Sequence, residues 1–408
     1  MKKHFRMVIG SVCFMALAVA CTTDAAPESP LGAGPDEPQY IRLSWNDDPS
    51  TTAALIWYTE NRQVERPGVE YGTTAEFGSF VTAETFSLTG FDGALHQATL
   101  TGLTPGSLIH YRVGSQSGVS PAYTLATAAP READVPFSFV LLGDSRGDVF
   151  GVGTGYPELN ERILQESPLP AFILDTGDYT MLGQVSEWYE WLQASDAVGP
   201  VIPRLTTFGN HEYVERTYYG LMNLPAENDG QFYAIEYGPL QIISMNTGFG
   251  RDRMPEGQKE WLEKTLRESD ATWRVAFMHI PPFNSGNHSH ENTALAAGRL
   301  DVRAEWTPLF EEYGVDLVVG GHDHNYQRFG HIKAGENVTG GAPFYVISGG
   351  AGAPLYPINE SAADYPLLQN GVYKDVEHYL VATLDGNELT VQAKKLDGTV
   401  FDTFTITK

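Results

Sequence analysis

Cysteine is nearly absent from this sequence, which has only Cys13 and Cys21 among 408 residues. The chain after Cys21 therefore has no disulfide, no thiolate metal ligand and no cysteine nucleophile. Basic residues are also scarce, because 26 Lys and Arg stand against 51 Asp and Glu and give a formal net charge of −25. Sequence-independent binding of nucleic acid needs clustered cations, so this balance argues against polymeric nucleic acid as a partner.

Long apolar runs are missing after the N-terminus. Three basic residues within the first six positions precede an uncharged, largely apolar run over residues 7–20. This run is shorter than the roughly 20 residues of a membrane span, and it predicts an export signal over residues 1–20. Residues 18–21, AVAC, resemble a bacterial lipoprotein cleavage box, which implies a lipid anchor at Cys21 and a protein that faces the periplasm or cell surface. The alternative is a free signal peptide with an incidental cysteine.

The segment after this signal has little to bury. Residues 22–36, TTDAAPESPLGAGPD, are small, polar and rich in proline and glycine. Such a composition is typical of a flexible linker. We therefore predict a lipoprotein tether over residues 21–37, with no ordered structure.

Short alternating segments bounded by turn residues fill residues 38–128. They are IRLSW, AALIWYT, GVEYG, HQATLTGL, IHYRVGS and AYTLAT. This pattern predicts an all-β antiparallel sandwich. With TGLTPG at 101–106 and YRV at 111–113, the region resembles the fibronectin type III-like domain that precedes the catalytic domain of purple acid phosphatases. His96 and His110 lie in this region and are assigned no role, because a lone strand histidine is usually packed or exposed.

The pattern changes over residues 136–408 to apolar strands that alternate with amphipathic helices. The strand-length runs are FSFVLL, FILDT, RLTTF, LQIISM, RVAFM, DLVVG and FYVIS, and the helical segments are PELNERILQES, QVSEWYEWLQAS, EGQKEWLEKTLRES and VRAEWTPLFEEYG. Continuous apolar strands are typical of sheets buried on both faces, so an α/β layered domain is predicted. The tail over residues 378–408 alternates again and contains two Asp-Gly turns, and we expect it to add a hairpin and a strand to one sheet.

Five of the predicted buried strands end in residues of metal-ligand type. The residues are Asp144, Asp178, Asn210 with His211, His279, and His322 with Asp323 and His324. Ligands bind beyond the carboxyl ends of strands in open α/β sheets, so this recurrence places the side chains on one rim. A single Gly-Asp after a strand is usually only a turn, whereas five such ends together indicate a metal site. Oxygen and imidazole ligands without a thiolate suit zinc, manganese or iron.

The spacing of His322 and His324 predicts a further detail of this site. These residues stand two apart on a predicted extended segment, and their side chains are expected to point to opposite sides. We expect the two imidazoles to serve two ions that lie on either side of a bridging carboxylate.

The order Asp, Gly-Asp, Gly-Asn-His-Glu, His, Gly-His-Asp-His resembles that of the calcineurin-like metallophosphoesterase superfamily, and together with the leading sandwich it resembles purple acid phosphatases. The likeness covers residues 38–408 and implies a layered α/β/β/α catalytic domain with two divalent ions. The ligands that the resemblance implies are Asp178 as the bridge, Asp144 and His324 on the first ion, and Asn210, His279 and His322 on the second.

The resemblance also implies positions that do not bind metal. His211 would face the substrate, as the histidine of the family's Gly-Asn-His segment does. Residues 349–352, GGAG, resemble the glycine-rich turn that closes the family's site, and the alternative is a turn only. His288 and His290 lie in a polar loop where purple acid phosphatases place a substrate-facing histidine, and either could correspond to it; a solvated histidine is the alternative for each.

Two departures from the family pattern concern the first ion. Most superfamily members have histidine two residues after the first aspartate, where this chain has Arg146. Purple acid phosphatases have a ligating tyrosine three residues after the bridging aspartate, where this chain has Met181, and Tyr179 is expected to point away. The resemblance therefore implies only three ligands for the first ion and no purple chromophore. Arg146 would hold a phosphate oxygen through its planar fork, or it is a surface arginine.

These expectations together predict an exported, metal-dependent phosphoesterase for small phosphate esters, with phosphomonoesters as substrates. Two ions roughly 3.5–4 Å apart can activate a bridging water and neutralise the charge on the attacking and leaving oxygens. Asn210 supplies a ligand oxygen without negative charge, which keeps the site cationic on an acidic protein. The alternatives are a phosphodiesterase or nucleotide hydrolase on the same metals, and a non-catalytic surface binding module with a degenerate metal site.

Overall fold

The computed structural model describes residues 29–148, 151–248, 254–288, 297–369 and 372–408. The predicted export signal, Cys21 and His290 lie outside the described residues. Among the described helices, none combines the length and the apolar character needed to cross a membrane.

The N-terminal domain is an antiparallel β-sandwich. Its strands are β1 Gln39–Ser44, β2 Ala53–Thr59, β3 Gly68–Gly72, β4 Ser79–Thr82, β5 Glu84–Phe86, β6 Ala94–Leu100, β7 Leu108–Ser115, β8 Gly118–Val119 and β9 Tyr123–Ala126. One sheet has the order β1-β2-β6-β5, and the other has the order β4-β3-β7-β8 with β9 also paired to β7. Leu55, Trp57, Val69 and Tyr111 are buried between the sheets. The predicted sandwich is therefore confirmed, whereas the short strands β4, β5 and β8 were not predicted.

Part of the predicted tether is ordered against this sandwich. The backbone N–H of Gly32 donates to the carbonyl of Ser115 over 2.9 Å, and that of Asp36 donates to Ser117 over 3.0 Å. Leu31 is buried. The expectation that residues 22–36 lack structure is therefore wrong for residues 29–36, because the burial of Leu31 and the hydrogen bonds to Ser115 and Ser117 hold the segment on the sandwich.

The C-terminal domain contains the predicted alternation of strands and helices. Its strands are β10 Phe137–Leu142, β11 Ile173–Asp175, β12 Arg204–Thr206, β13 Tyr233–Tyr237, β14 Leu240–Met245, β15 Trp273–Met278, β16 Leu317–Gly320, β17 Tyr326–Lys333, β18 Glu336–Asn337, β19 Phe344–Ser348, β20 Tyr373–Lys374, β21 His378–Asp385, β22 Glu388–Lys395 and β23 Val400–Thr407. Its helices are α1 Tyr156–Ile163, α2 Val185–Ala194, α3 Glu215–Met222, α4 Gln258–Glu268 and α5 Ala297–Glu312, with short 3₁₀ turns at Glu227–Gly230 and Tyr365–Leu367.

These strands form two sheets. The first has the order β12-β11-β10-β21-β22-β23, with β10, β11 and β12 parallel. The antiparallel strands β21, β22 and β23 extend it, so the predicted contribution of the tail is confirmed. The second sheet has the order β13-β14-β15-β16-β19-β17-β18, with β20 also paired to β17. Its strands β14, β15, β16 and β19 are parallel.

The two sheets pack face to face between layers of helices. Leu141 and Leu174 of the first sheet share a core with Val275 and Leu317 of the second. On the outer face of the first sheet, a second core includes side chains from α1, α2 and α3, and on the outer face of the second sheet a third core includes side chains from α4 and α5. The layered α/β/β/α architecture is therefore confirmed.

Candidate metal centre

The candidate ligands lie where the parallel strands of both sheets end. Leu142 of β10 is level with Asp175 of β11, and Met278 of β15 is level with Gly320 of β16. Because these strands end together, the loops that follow them meet on one rim. The imidazole Nδ1 of His279 lies 2.9 Å from the carbonyl of Thr176, which joins the rims of the two sheets.

Three of the candidate ligands have an uncommon backbone conformation. Asp144, Asp178 and His322 have φ values of 63°, 61° and 71°, in the left-handed region. Non-glycine residues rarely adopt this conformation, and it clusters at functional sites where the surrounding structure enforces it. The expectation of an extended segment at His322 and His324 is wrong, because residues 322–325 form consecutive bends. On an extended segment, side chains two residues apart would have shared one face.

Two overlapping clusters of ligand atoms result. One contains Asp144, Asp178 and His324, and the other contains Asp178, His279 and His322, with the ligand atoms of each within 4.8 Å of one another. Asp178 belongs to both clusters. Asn210 joins the second, because its Oδ1 lies 2.9 Å from Nε2 of His279. The structure thus brings all six predicted ligands together, and their assignment to a first and a second ion stays a prediction.

Hydrogen bonds outside the clusters orient two of the imidazoles. Nδ1 of His279 donates to the carbonyl of Thr176 over 2.9 Å, and Nδ1 of His324 donates to the carbonyl of Pro354 over 2.7 Å. With the proton on Nδ1, each Nε2 presents its lone pair to the cluster, which is the arrangement that metal-binding histidines adopt.

The resulting donor set fits divalent cations. Nε2 of His279 faces two acceptors, Oδ1 of Asn210 at 2.9 Å and Oδ1 of Asp178 at 3.2 Å. The second carboxylate oxygen of Asp178 is buried without a hydrogen-bond partner among the described residues. Converging lone pairs and an unpartnered buried carboxylate oxygen are costly unless a cation lies among them.

Burial and mutual charge separate the two aspartates. Burial and the neighbouring Asp178 carboxylate raise the pKa of Asp144 well above its usual range. Burial also acts to raise the pKa of Asp178, but His279, His211 and Arg146 outweigh it and hold that pKa below its usual range. The carboxyl group shared by both clusters is therefore the more acidic of the two.

His211 lies beside the clusters without belonging to either. Its backbone N–H donates to Oδ1 of Asp178 over 3.0 Å, and its Nδ1 donates to the carbonyl of Met181 over 2.7 Å. Its Nε2 is 3.9 Å from Oδ2 of Asp178. The imidazole is partly exposed at the edge of the centre.

Arg146 is buried against the first cluster, which excludes the surface alternative. Its Nη2 lies 3.3 Å from Nε2 of His324, and its Nε lies 3.6 Å from Oδ2 of Asp178. Nη1 lies 3.2 Å from Sδ of Met181. The two residues that depart from the family pattern therefore contact each other beside the first cluster.

Of the two loop histidines, His288 is described. Its Nδ1 lies 3.0 Å from Oδ1 of Asp323, and its ring centroid lies 4.4 Å from that of His322. His288 is therefore beside the second cluster. His290 lies outside the described residues and stays a prediction.

Tyr179 is directed away from the clusters, as expected from the sequence. Its ring stacks on Tyr218 at 5.9 Å, and its hydroxyl donates to the carbonyl of Thr207 over 3.2 Å. The glycine-rich turn, in contrast, contacts the first cluster, because a Cβ at Gly349 would lie 2.9 Å from Oδ2 of Asp144.

Two residues of the site were given no role from the sequence. Glu212 is buried, and its carboxylate accepts the backbone N–H groups of Asp178 at 3.1 Å and Gly209 at 2.7 Å. The sequence feature that could have identified Glu212 is its position directly after His211. Tyr356 stacks on the imidazole of His324 at 4.1 Å and hydrogen-bonds to Arg146. No local pattern marks this tyrosine, because it reaches the centre from the loop after β19.

Two family models match the chain. The calcineurin-like phosphoesterase model matches residues 138–326, and the model of the purple acid phosphatase N-terminal domain matches residues 38–127. The second match identifies the sandwich as a purple acid phosphatase N-terminal domain. Its likeness to a fibronectin type III domain stays a prediction.

Proteins from several organisms are similar to much of this chain. An uncharacterised protein of Mycobacterium tuberculosis is 27% identical over 333 residues, which cover 71% of this chain and 61% of that protein. Human acid phosphatase type 7 is 25% identical, with 79% of this chain and 80% of the human protein covered. The match thus spans less than two thirds of the mycobacterial protein.

Solved structures share the fold. The purple acid phosphatase PPD1 from yellow lupin seeds has a TM-score of 0.77 at 20% identity and covers 92% of this chain and 75% of its own. The structure of PhoD has a TM-score of 0.69 at 14% identity and covers 91% and 93%.

The chain therefore combines a calcineurin-like metallophosphoesterase domain, which carries the paired clusters, with a purple acid phosphatase N-terminal domain. It is similar in this combination to purple acid phosphatases, whose fold it shares.

Proposed function

We propose that this protein hydrolyses small phosphomonoesters in a reaction that depends on two divalent metal ions. The observation that carries the proposal is the pair of ligand clusters that share Asp178. When bound there, divalent ions supply Lewis-acid polarisation of a phosphoryl oxygen and lower the pKa of bound water. Zinc, manganese and iron all suit the oxygen and imidazole donors.

The ligands of the two metal positions would differ in their total charge. Asp144 and Asp178 supply two carboxylates to the first position, whereas the second position has Asp178, two imidazoles and the neutral amide of Asn210. The neutral amide leaves the second position more cationic, which favours an anionic ester.

His211 would act on the leaving group. Met181 holds its Nδ1–H, so Nε2 is the nitrogen that faces the centre. When protonated at Nε2, the imidazole can donate that proton to the departing alkoxide as a general acid. His288 is proposed to contact the substrate at the other edge, beside His322. Arg146 is proposed to hold a phosphoryl oxygen through its N–H groups.

Initial rates on matched esters test this proposal. Metal-free protein, prepared with a chelator, is assayed with a phosphomonoester, a phosphodiester and a nucleotide before and after Mn²⁺ or Zn²⁺ is restored. We expect metal-dependent turnover, fastest on the monoester. Faster turnover of the diester or nucleotide would instead support a phosphodiesterase or nucleotide hydrolase that uses the same metal site. Tight metal binding with no turnover of any ester would support a binding module.

We further propose that the protein is exported and lipid-anchored through Cys21. The support is the sequence of residues 1–21, with its basic start, apolar run and AVAC end. Mass spectrometry of the N-terminal peptide of the native protein tests it. Cys21→Ser should abolish acylation and release the protein from membranes, whereas a Cys21→Ser protein that remains membrane-bound would contradict the anchor.

A further inference from the structure

A guanidinium group lies against the first metal position. Arg146 is 5% exposed, and its Nη2 donates to Nε2 of His324 over 3.3 Å. That lone pair is the one a metal ion needs, because Nδ1 of His324 is already committed to the carbonyl of Pro354. The hydrogen bond from Arg146 therefore occupies a ligand atom of the first cluster.

The same guanidinium also faces the shared carboxylate. Nε of Arg146 lies 3.6 Å from Oδ2 of Asp178, and both atoms are buried without a hydrogen-bond partner among the described residues. Arginine keeps its charge in proteins and offers only donors, so it cannot become a ligand. Arg146 places a fixed positive charge where the first ion would be held.

Several contacts resist movement of this side chain. The backbone N–H of Arg146 donates to the carbonyl of Asp178 over 3.1 Å, which fixes the backbone beside the ligand. Nη1 donates to the carbonyl of Gly147 over 3.1 Å, and the side chain also hydrogen-bonds to Tyr356. Met181 offers only a thioether to Nη1. Where the family pattern has a tyrosine ligand, this chain has a sulfur in contact with a cation.

The second position has different surroundings. Nε2 of His279 meets the amide oxygen of Asn210 at 2.9 Å and the carboxylate of Asp178 at 3.2 Å. These are acceptor atoms that a cation can join directly.

We infer that Arg146 makes the two metal positions unequal, because its guanidinium competes for the first position while the second is open to a divalent ion. This inference rests on the proposed metal centre. The second position fills first and holds its ion through dialysis. The first position binds an ion only when Arg146 no longer donates a hydrogen bond to Nε2 of His324. The N–H groups of Arg146 are then available to an anionic ester.

Mn²⁺ titration of the metal-free full chain, followed by calorimetry, tests this order. We expect two steps whose dissociation constants differ at least tenfold, since buried like charges at a few ångströms repel strongly. Electron paramagnetic resonance should show an isolated Mn²⁺ at one equivalent and an exchange-coupled pair only at high excess. Two equal steps would overturn the inference and leave the proposed function intact. Failure of any Mn²⁺ to bind would reject the metal centre itself.

Variants of Arg146 separate charge from packing. Arg146→Gln removes the charge and should bring the two dissociation constants within about threefold, whereas Arg146→Lys keeps a cation and should preserve the difference. Arg112→Gln, which changes an arginine paired with Glu70 in the sandwich, is the matched control and should behave as the native chain. An unchanged ratio in Arg146→Gln, or equal effects of Gln and Lys, would contradict the inference.

A thermal melt would reveal a folding defect in Arg146→Gln. A second substitution tests the inference independently of that variant. Arg146→His supplies an imidazole where most superfamily members have one. It should retain two Mn²⁺ ions per chain after dialysis that leaves one on the native protein. Retention of one ion by both proteins would count against the inference.

Discussion

The carboxylate of Glu212 accepts the backbone N–H of Asp178 over 3.1 Å. The same carboxylate accepts the N–H groups of Tyr179 at 2.8 Å and Gly209 at 2.7 Å, so it ties together the two loops that carry Asp178 and Asn210. Burial and the neighbouring Asp178 carboxylate raise the pKa of Glu212, and the backbone donors oppose this shift without cancelling it. A residue that touches no ligand atom thus positions the bridging carboxylate.

Glu212→Gln should therefore weaken both folding and metal binding. The amide would turn an NH₂ group towards backbone donors, and an unsatisfied buried donor costs about 1–3 kcal/mol. The free energy of unfolding, measured with urea, should fall. The affinity for Mn²⁺ should fall about 10- to 100-fold, as for other groups that orient metal ligands. Glu215→Gln, an exposed change in the same segment, should alter neither. Normal affinity in Glu212→Gln would contradict the positioning role.

Asp178→Asn should remove metal and activity together. Among the described residues, Asp178 alone belongs to both clusters, and the amide would leave the charge of two ions without their shared carboxylate. We expect Mn²⁺ affinity to fall by more than about 100-fold. Metal content by mass spectrometry, with turnover measured on the same sample, checks this. The exposed Asp134→Asn is the control. Two ions per chain with near-native turnover would sink the assignment.

His211→Ala should slow the chemistry without removing metal. The imidazole contacts Asp178 only at 3.9 Å through Nε2, so both ions should remain. General acid assistance is worth about 100- to 10,000-fold, and the loss should be greatest for alkyl phosphates, whose leaving groups need a proton. Nitrophenyl phosphate should lose less. Equal losses on both ester classes at full metal content would reject the acid role, and loss of an ion would make His211 a ligand.

The iron-loaded native protein should lack the visible band of a metal-bound phenolate. Met181 occupies the position of the family's tyrosine, and Tyr179 is buried with its hydroxyl on backbone carbonyls. Met181→Tyr should introduce the band, which absorption spectroscopy would detect. A band in the native protein that disappears in Tyr356→Phe would show that Tyr356, which contacts Arg146, serves as a ligand instead.

Acid should destabilise the sandwich through His96. Burial lowers the pKa of this imidazole from 6.5 to about 4. Nε2 donates to Thr59, whose hydroxyl is committed to the carbonyl of Asn61, and Nδ1 accepts from Thr85. Between pH 6.5 and 4 the unfolded chain binds a proton at His96 that the folded chain does not, so stability falls as the pH falls, by at most about 3 kcal/mol.

Comparison with His96→Gln isolates this effect. The variant should be less stable at pH 7.5 but should lose less stability than the native chain between pH 6.5 and 4.5. Urea unfolding at a series of pH values measures the difference. Parallel losses in the two proteins would exclude His96 as the titrating group.

The sequence anticipated most of the sheet strands because buried strands are continuous apolar runs. FSFVLL and FYVIS became β10 and β19 with little change in their ends. The elements that it did not anticipate have weaker patterns. Helix α3 carries tyrosines on a short segment, and strand β13 alternates around a glutamate. Such elements are stabilised by contacts with distant parts of the chain, which local patterns do not contain.

For the site, the sequence determined which residue types stand at the strand ends, since Gly-Asp, Gly-Asn-His and Gly-His-Asp-His are local motifs. It also determined the two departures, Arg146 and Met181. Only the tertiary structure decided that these two residues contact each other and that Tyr356 and Glu212 reach the same centre. The physical reason is that hydrogen bonds and charge interactions act across a few ångströms of space, and the folding of two sheets onto one rim, not proximity along the chain, determines which groups come that close.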